Sequence, residues 1–560
     1  MDLQHPYLST QLIAYIGNKR ALLPFLHEVF ARLDGASFLD PFAGSGAVSR
    51  LARLMGLAVA ANDWEPYTRV INTCHLCASP SDLTRLFPRR GGLAAVLEEL
   101  GALPSPAIER RYIARHYAPR TTESADWRTE RLFYTTENAL RIDAFRWRIE
   151  DMYPGEPRDP DERLEKAVLL GPLLYQAATH TNTSGVFKAC HHGFGGHGRD
   201  ALTRIMAPIS LTAPVVVDAA APAVVECQDA AAFLRGRTAD ICYLDPPYAV
   251  HQYGSNYFML NTIALWDLPP VSDERRADGS LRRKAGIRAD WTKTRSAFCY
   301  QSTAPAALRE VLQAADCRHL VVSYSDEGLI GLEELCDILS ETGSLTLRSR
   351  GYVKYPGGKQ SLSRKTRNLE LALVVDRRAA RPAASSSTST SADLLRDLRI
   401  ARLMGRAFVP SLIRAAFPSD NAGISVPLSR GGTLALPMRH HWRFLGSGPA
   451  PGFERAEDAE RFISLLSSCE AAHVGQEIDA LIGVLRSGVE RRDGEELLRE
   501  ILRLFNKLAH RKYAREFAQV LPRLQGLGEE LPYAQRFRAG LERIVTIAGR
   551  RTAPAQPPGP

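Results

Sequence analysis

Apolar and polar positions divide this chain into strand-sized and helix-sized stretches. Three short apolar runs each close on an acid. They are Phe38-Leu39-Asp40, Leu57-Ala58-Val59-Ala60-Ala61 before Asn62-Asp63, and Ile241-Cys242-Tyr243-Leu244 before Asp245. Continuous apolar runs of this kind predict buried parallel strands. Between the first two, Ala47 to Met55 predicts a helix. From about residue 72 to 180 the chain turns helical and charged, with a buried helix over Leu169 to Thr179. Leu345 to Val353 and Leu369 to Val375 predict paired strands. Further on, apolar residues recur at helical spacing over 460–486 and 495–524, as in Leu497-Leu498, Ile501-Leu502, Leu504-Phe505 and Leu508. A short β-like stretch from Ala422 to Pro437 precedes them. The fold class is α/β: a Rossmann-like sheet with helical and loop insertions, then a mostly helical C-terminal domain.

Composition changes this picture little. At 560 residues, 45% apolar and 24% charged, the chain has the make-up of a soluble protein of two or three domains. A net charge of +9 and a pI near 9.1 suit a polyanionic partner. No window is apolar enough to span a bilayer, and Met1-Asp2-Leu3-Gln4-His5-Pro6 lacks the features of a signal peptide. The nine scattered cysteines are expected to be reduced thiols in a cytoplasmic protein. Cys74-x-x-Cys77 has no second Cys-x-x-Cys, so no metal site is expected. The Ala/Ser/Thr-rich stretch 377–395 reads as a flexible linker, and the proline-rich 553–560 as a disordered tail.

The most informative tetrapeptide is Asp245-Pro246-Pro247-Tyr248. Two prolines end the preceding strand, leaving a carboxylate, two stiff carbonyls and an aromatic ring at its C-terminal edge. Open α/β sheets place their chemistry there. An Asp and a Pro carbonyl can accept both protons of an exocyclic amine, and a Tyr can stack on the ring carrying it. Asp40 closes its own strand and leads into Pro41-Phe42-Ala43-Gly44-Ser45-Gly46, where Gly44 and Gly46 let the backbone approach a ligand. Asp63, about 20 residues beyond that turn, stands where an acid commonly binds a ribose diol.

These motifs resemble those of the alpha-class, Dam-like, adenine-specific DNA methyltransferases. Tyr15-Ile16-Gly17-Asn18-Lys19-Arg20 resembles the family's N-terminal motif, although Gly17-Asn18 stands where the family has two glycines. Asn62-Asp63-Trp64-Glu65-Pro66-Tyr67 resembles its second cofactor motif. Val225 to Ala230 and Val321 to Ser325 resemble the stretches before and after the catalytic strand. The resemblance runs over roughly residues 1–376, with a target-recognition insertion at about 72–215. It implies S-adenosylmethionine as cofactor, held by Tyr15, Lys19, Asp40, Gly44, Gly46, Asp63 and Asp245. It also implies catalysis by Asp245, Pro246 and Tyr248 on an adenine flipped out of double-stranded DNA. In such a site Lys19 would hold the cofactor carboxylate, Asp40 its amino end and Asp63 its ribose.

Basic segments supply candidate DNA contacts. From Arg348 to Arg367 there are seven basic residues and no acid: Arg348, Arg350, Lys354, Lys359, Arg364, Lys365 and Arg367. Such an arm is costly to bury and suits phosphates. The loop from His180 to Arg199 is glycine-rich and basic. Arg275 to Arg295, with eight basic and two acidic residues, reads as a mobile loop. Arginines and aromatics interleave at Arg110-Arg111-Tyr112 and over Arg141 to Arg148, as nucleic-acid surfaces and solvated helix faces both do. Tyr253 and Tyr257 are candidate base-pocket rings or core residues. The expected role is in restriction-modification or phage defence. The region 396–552 is then a separate domain for a cognate nuclease, a defence-system subunit or a clamp on DNA. Methylation of RNA or of a protein glutamine, and a DNA-binding subunit with little activity of its own, are the alternatives. Family glutamine enzymes usually carry Asn at the position of Asp245.

Overall fold

Phe38 and Leu39 are apolar on both faces of the backbone, and both are buried in strand β1 (Ser37–Asp40). The computed structural model describes residues 2–196, 201–325, 328–353, 367–378, 384–445, 451–510 and 513–552. β1 belongs to a seven-stranded sheet with β2 (Ala58–Asn62), β3 (Ala223–Glu226), β4 (Thr238–Leu244), β5 (Asp316–Ser325), β6 (Ser344–Val353) and β7 (Arg367–Asp376). Its order is β3-β2-β1-β4-β5-β7-β6. β1 pairs in parallel with β2 on one side and with β4 on the other, with Phe38 opposite Ile241 and Leu39 opposite Cys242. Strand order therefore reverses between β1 and β4. At such a switch the following connections part to opposite faces and leave a crevice beyond the carboxyl ends. Asp40 and Asp245 stand at those two ends.

The helix Ala47–Leu54 follows β1, and Leu51 and Ala52 are sealed in the core with Phe30, Phe38, Tyr243 and Val321. Arg50, on this helix, is only 1% exposed. Its guanidinium donates to the carbonyls of Tyr7, Thr10 and Gln11 at 3.2, 2.9 and 3.1 Å. A buried charge is tolerable only with such satisfaction. It pins the segment that leads to Tyr15 and Lys19.

Between β2 and β3 the chain is helical, with long helices at Thr136–Met152 and Pro160–Thr179. They share a core with Tyr67, Phe133, Phe145 and Phe258. Cys74 is fully buried, and a Cβ at Gly171 would lie 2.7 Å from its Sγ. Burial raises both the Cys74 and Cys77 thiols above their ordinary range. Cys74 thus acts as a packing residue where two helical segments meet closely. Among the described residues no group of three or more His, Cys, Asp or Glu side chains could hold a metal, and no helix is long and apolar enough to cross a membrane.

The chain divides into two units, residues 1–348 with 371–387, and 349–370 with 388–560. The second contains an antiparallel sheet, β8 (Ser419–Asp420), β9 (Gly423–Pro427), β10 (Thr433–Arg439) and β11 (Arg443–Phe444). Its helices include Ala456–Ser468, Val474–Arg486, Arg491–Leu508, Ala514–Glu530 and Gln535–Thr552. Leu497, Leu498, Ile501, Leu504, Phe505 and Leu508 are all buried, as their spacing predicts. The linker expectation needs correction in part. From Ala384 a helix runs to Met404. Its Ser/Thr composition suggests flexibility, but its far end buries Leu398 and Ile400, and tertiary packing overrides weak propensity. Residues 379–383 and 553–560 lie outside the described residues.

Replacing Arg50 by Met should destabilise the first unit by about 2–4 kcal/mol, since three carbonyls lose a charged donor. Urea unfolding should show a lower midpoint at unchanged slope. An unaltered midpoint would mean that the N-terminal segment is held by other contacts.

Candidate active site

Strand β4 stops at Leu244 because Pro246 and Pro247 cannot donate to a ladder. Asp245 therefore leaves the sheet beside the end of β1. Lys19 meets it from the N-terminal segment, Nζ to Oδ1, at 2.8 Å. The lysine is 3% exposed and the aspartate 18%, so this ion pair is shielded from solvent. Lys19 also donates to the Gly17 carbonyl at 2.9 Å and to the Tyr248 hydroxyl at 3.4 Å. Burial raises the Asp245 carboxyl above its usual range, and Lys19 opposes that rise. Tyr248 sets its ring edge against Tyr324 at 5.6 Å.

Asp40 is 1% exposed. Its Oδ2 accepts from the Ser49 hydroxyl at 2.6 Å, while Oδ1 has no hydrogen-bond partner among the described residues. Burial pushes its carboxyl up to about 7, against the Ser49 bond. Asp63 accepts from the Gly44 and Glu65 amides at 2.8 and 3.0 Å. It thereby fixes the glycine turn, and burial raises its pKa. Gly44 has φ +49°, and a Cβ there would lie 3.0 Å from Cε1 of Tyr15. Tyr15 stacks against both Tyr253 and Tyr257, at 5.1 and 4.9 Å.

Tyr15, Lys19, Asp40, Gly44, Asp63, Asp245, Pro246 and Tyr248 line one cavity of about 200 Å³. Gly46 is not on its wall. Its φ is +77°, and a Cβ would collide with Oδ1 of Asn72 at 2.1 Å, so what the position requires is close packing. Tyr253 also lines the cavity, whereas Tyr257 is fully buried and its hydroxyl accepts from the Ile16 amide. Sequence reasoning missed Glu65, which is 3% exposed and takes the Asn261 amide at 2.5 Å. Its carboxyl is pushed up to about 7 by burial, against Asn261. The available signal was a second acid two residues past Asp63. It also missed the wall from Thr294 to Phe298, whose Phe298 meets Phe42 edge-on at 5.4 Å. The charged lining is two cations, Lys19 and Arg295, against six acids: Asp40, Asp63, Glu65, Asp229, Asp245 and Glu310. That surplus of negative charge favours a cationic ligand.

The expected DNA segments fare unequally. The loop from Arg275 is pinned, contrary to the reading of it as mobile. Buried Arg131 donates to the Ser272 and Arg283 carbonyls, and Leu281 N donates to the Arg128 carbonyl. Arg288 pairs with both Asp267 and Asp290. This loop and the one from His180 to Arg199 meet at Trp127, which stacks on His192 at 3.7 Å and carries Lys284 at 4.1 Å from its ring centroid. Arg110 and Arg148 are engaged by Asp151 and Glu99, and Arg146 is buried with Glu150, so these bases serve the helical insertion itself. In the basic arm, Arg348 and Arg350 lie on β6 and Arg367 starts β7. Lys354, Lys359, Arg364 and Lys365 lie outside the described residues.

Comparison with known proteins gives this site a context. Residues 15–98 and 216–274 match the family described as D12 class N6 adenine-specific DNA methyltransferase. The type II methyltransferase M.NlaIII of Neisseria lactamica is 29% identical over 350 residues, covering 62% of this chain and 93% of that protein. M.CviAII of Paramecium bursaria Chlorella virus 1 is 28% identical over 348 residues, 61% and 92% of the two chains. The modification methylase LlaI of Lactococcus lactis subsp. lactis is 26% identical over 369 residues, 64% of this chain and 54% of its own. The matched family segments contain Tyr15, Lys19, Asp40, Asp63 and Asp245.

The raised Asp40 carboxyl has a measurable consequence. Its folded pKa lies above its unfolded one, so its contribution to stability is present at low pH and lost as pH rises through the folded value. Asp40→Asn escapes that loss. Its stability relative to the parent should be unchanged below pH 3.8, rise up to about 7 and then level off. Urea unfolding of both proteins across this range measures it. A difference independent of pH would refute the assignment.

Proposed function

We propose that this chain, whose residues 15–98 and 216–274 match the D12 class N6 adenine-specific DNA methyltransferase family, transfers a methyl group from S-adenosylmethionine to the exocyclic amine of adenine in a specific DNA sequence. The carrying observation is Asp245-Pro246-Pro247-Tyr248 at the sheet's switch point, joined by Lys19 and sharing one acid-lined cavity with Asp40. The residues fit the cofactor. Its sulfonium and ammonium suit the negative lining, the free Oδ1 of Asp40 can take the ammonium, and Asp63 or its neighbour Glu65 can meet the ribose. The bound cofactor supplies the electrophilic methyl group.

The protein's own task is to make a poor nucleophile react. The adenine amine shares its lone pair with the ring, and the duplex hides it, so the nucleotide has to be flipped out. Asp245 accepts one amine proton and the Pro246 carbonyl the other, which draws the nitrogen towards tetrahedral geometry. Lys19 opposes the effect of burial and favours an ionised Asp245 that can accept. Tyr248 stacks on the base and fixes its angle of approach. Position and a fixed dipole contribute most of the rate. The basic arm from Arg348 to Arg367 runs along phosphates and adds affinity without sequence preference. The names of the relatives, type II methyltransferases and modification methylases, favour protective methylation in a restriction-modification setting.

Asp245→Ala should cut transfer of labelled methyl to duplex DNA by about 10²–10³-fold, with calorimetric binding of S-adenosylmethionine largely kept. Near-parental turnover would overturn the mechanism. RNA in place of duplex should accept no label, and faster labelling of RNA would reassign the substrate. Neutralising Arg348, Arg350 and Arg367 together should lower the salt slope of DNA binding by about 2–3 units and leave the preferred sequence unchanged. A changed target sequence at constant slope would mean that the arm reads bases.

A further inference from the structure

The second unit contains a cavity of about 600 Å³ that the chemistry above does not use. This is a size typical of small-molecule sites. It lies where the β10–β11 hairpin meets the helix Arg491–Leu508. Its charged wall is four arginines, Arg439, Arg443, Arg499 and Arg503, against two glutamates, Glu496 and Glu500. Phe444, Leu445 and Leu497 form an apolar side.

Several of these cations are satisfied within the protein. Arg439 pairs with Glu496 at 2.8 Å, and Arg443 with Glu477 at 2.5 Å. Glu500 is shared between Arg443 and Arg503. Arg499 meets only the Glu495 carbonyl, at 3.3 Å, and no carboxylate within ion-pair distance among the described residues. Lys507, one turn beyond Arg503, is pushed down to about 8 by burial and by that arginine. Positive charge is thus crowded here.

Two donors, Nε1 of Trp442 and Nε of Arg443, lie sealed behind this wall and unpartnered among the described residues. Water cannot reach them from the cavity, so the groups that can meet a ligand there are the guanidinium ends of the arginines. The hairpin tip is a tight primed turn: His440 and His441 have φ of +49° and +56°, and Trp442 N donates to the Arg439 carbonyl at 2.9 Å. The tip sets the Arg443 guanidinium over the Trp442 ring at 4.2 Å, and His440 stands 3.4 Å from Asp493 on the facing helix.

We propose that this cavity binds the phosphate of a nucleotide, either free or within a DNA strand. A phosphate presents more acceptor oxygens than a carboxylate and suits the guanidinium N–H groups of this wall, above all those of Arg499, which has no carboxylate partner among the described residues. The apolar side accommodates sugar and base.

The test uses the full-length protein and calorimetry with pyrophosphate and with dTMP, which lacks adenine and so avoids the cavity of the first unit. Saturable binding is expected, weakened about tenfold or more by Arg499→Gln or Arg503→Gln, each removing one charged hydrogen-bond donor. Trp442→Phe keeps the ring, removes only a donor sealed from the cavity and should leave binding unchanged. Circular dichroism confirms that the variants fold. Salt titration of duplex binding separates the two sources. If the phosphate belongs to DNA, the slope falls by about one unit per arginine removed. If it belongs to a free nucleotide, the slope stays and dTMP binding is lost. Absence of saturable heat from both probes together with an unchanged DNA slope overturns the proposal, as does parental affinity in both arginine variants.

Discussion

Parallel pairing of β1 with β4 is the constraint on which the candidate site depends. It brings two strands distant in sequence into register, so that Asp40 and Asp245 leave the sheet side by side. The hydrogen bonds of the ladder fix that spacing more firmly than any loop could. Everything else at the site is attached to this pair. Arg50 ties the N-terminal segment against the helix after β1, and that segment delivers Lys19 to Asp245. Asp63 ties the glycine turn to the end of β2. The parallel sheet is the rigid part, and side chains from sequence-distant segments are fastened to its edge.

The electrostatics follow from that arrangement. Carboxyls gathered at one sheet edge and shut away from water resist ionisation, and Asp40 and Glu65 are both pushed up to about 7. Asp245 differs in having a buried cation against it. Neighbouring acids thus come to differ in charge through their partners, a separation that lets one fold hold a ligand and perform chemistry within one cavity. The two glycines of the turn are not equivalent either. Gly44 makes room for Tyr15 at the wall, while Gly46 makes room for Asn72 behind it.

Much of this was legible in the sequence, because prolines, glycines and strand-closing acids act locally. Pro246 and Pro247 stop a strand wherever they stand, and an apolar run closing on Asp40 announces the edge of a sheet. The strands and the C-terminal helices follow from hydrophobic period. What was hidden depends on long-range contact. Nothing local marks Arg50 as buried or Phe298 as a wall of the cavity. The basic stretch from Arg275 looked unattached because charge suggests solvent, yet its Arg283 carbonyl accepts from the buried Arg131. The helix beginning at Ala384 was masked by its serines and threonines, and only its buried far end accounts for it.

The register of β1 also bears on how the chain is made. Phe38 lies opposite Ile241, about 200 residues later. On the ribosome β1 can meet β2 almost at once, but its other edge stays bare until β4 has emerged. An unpaired apolar edge is an invitation to foreign strands. The helical insertion between β2 and β3 packs against Phe258 and Trp266, which follow β4, so its core too is completed only once that strand has emerged. Placing it there lengthens the delay. Synthesis rate through residues 72–215 thus becomes a variable in the yield of native protein, set by codon choice and chaperone supply.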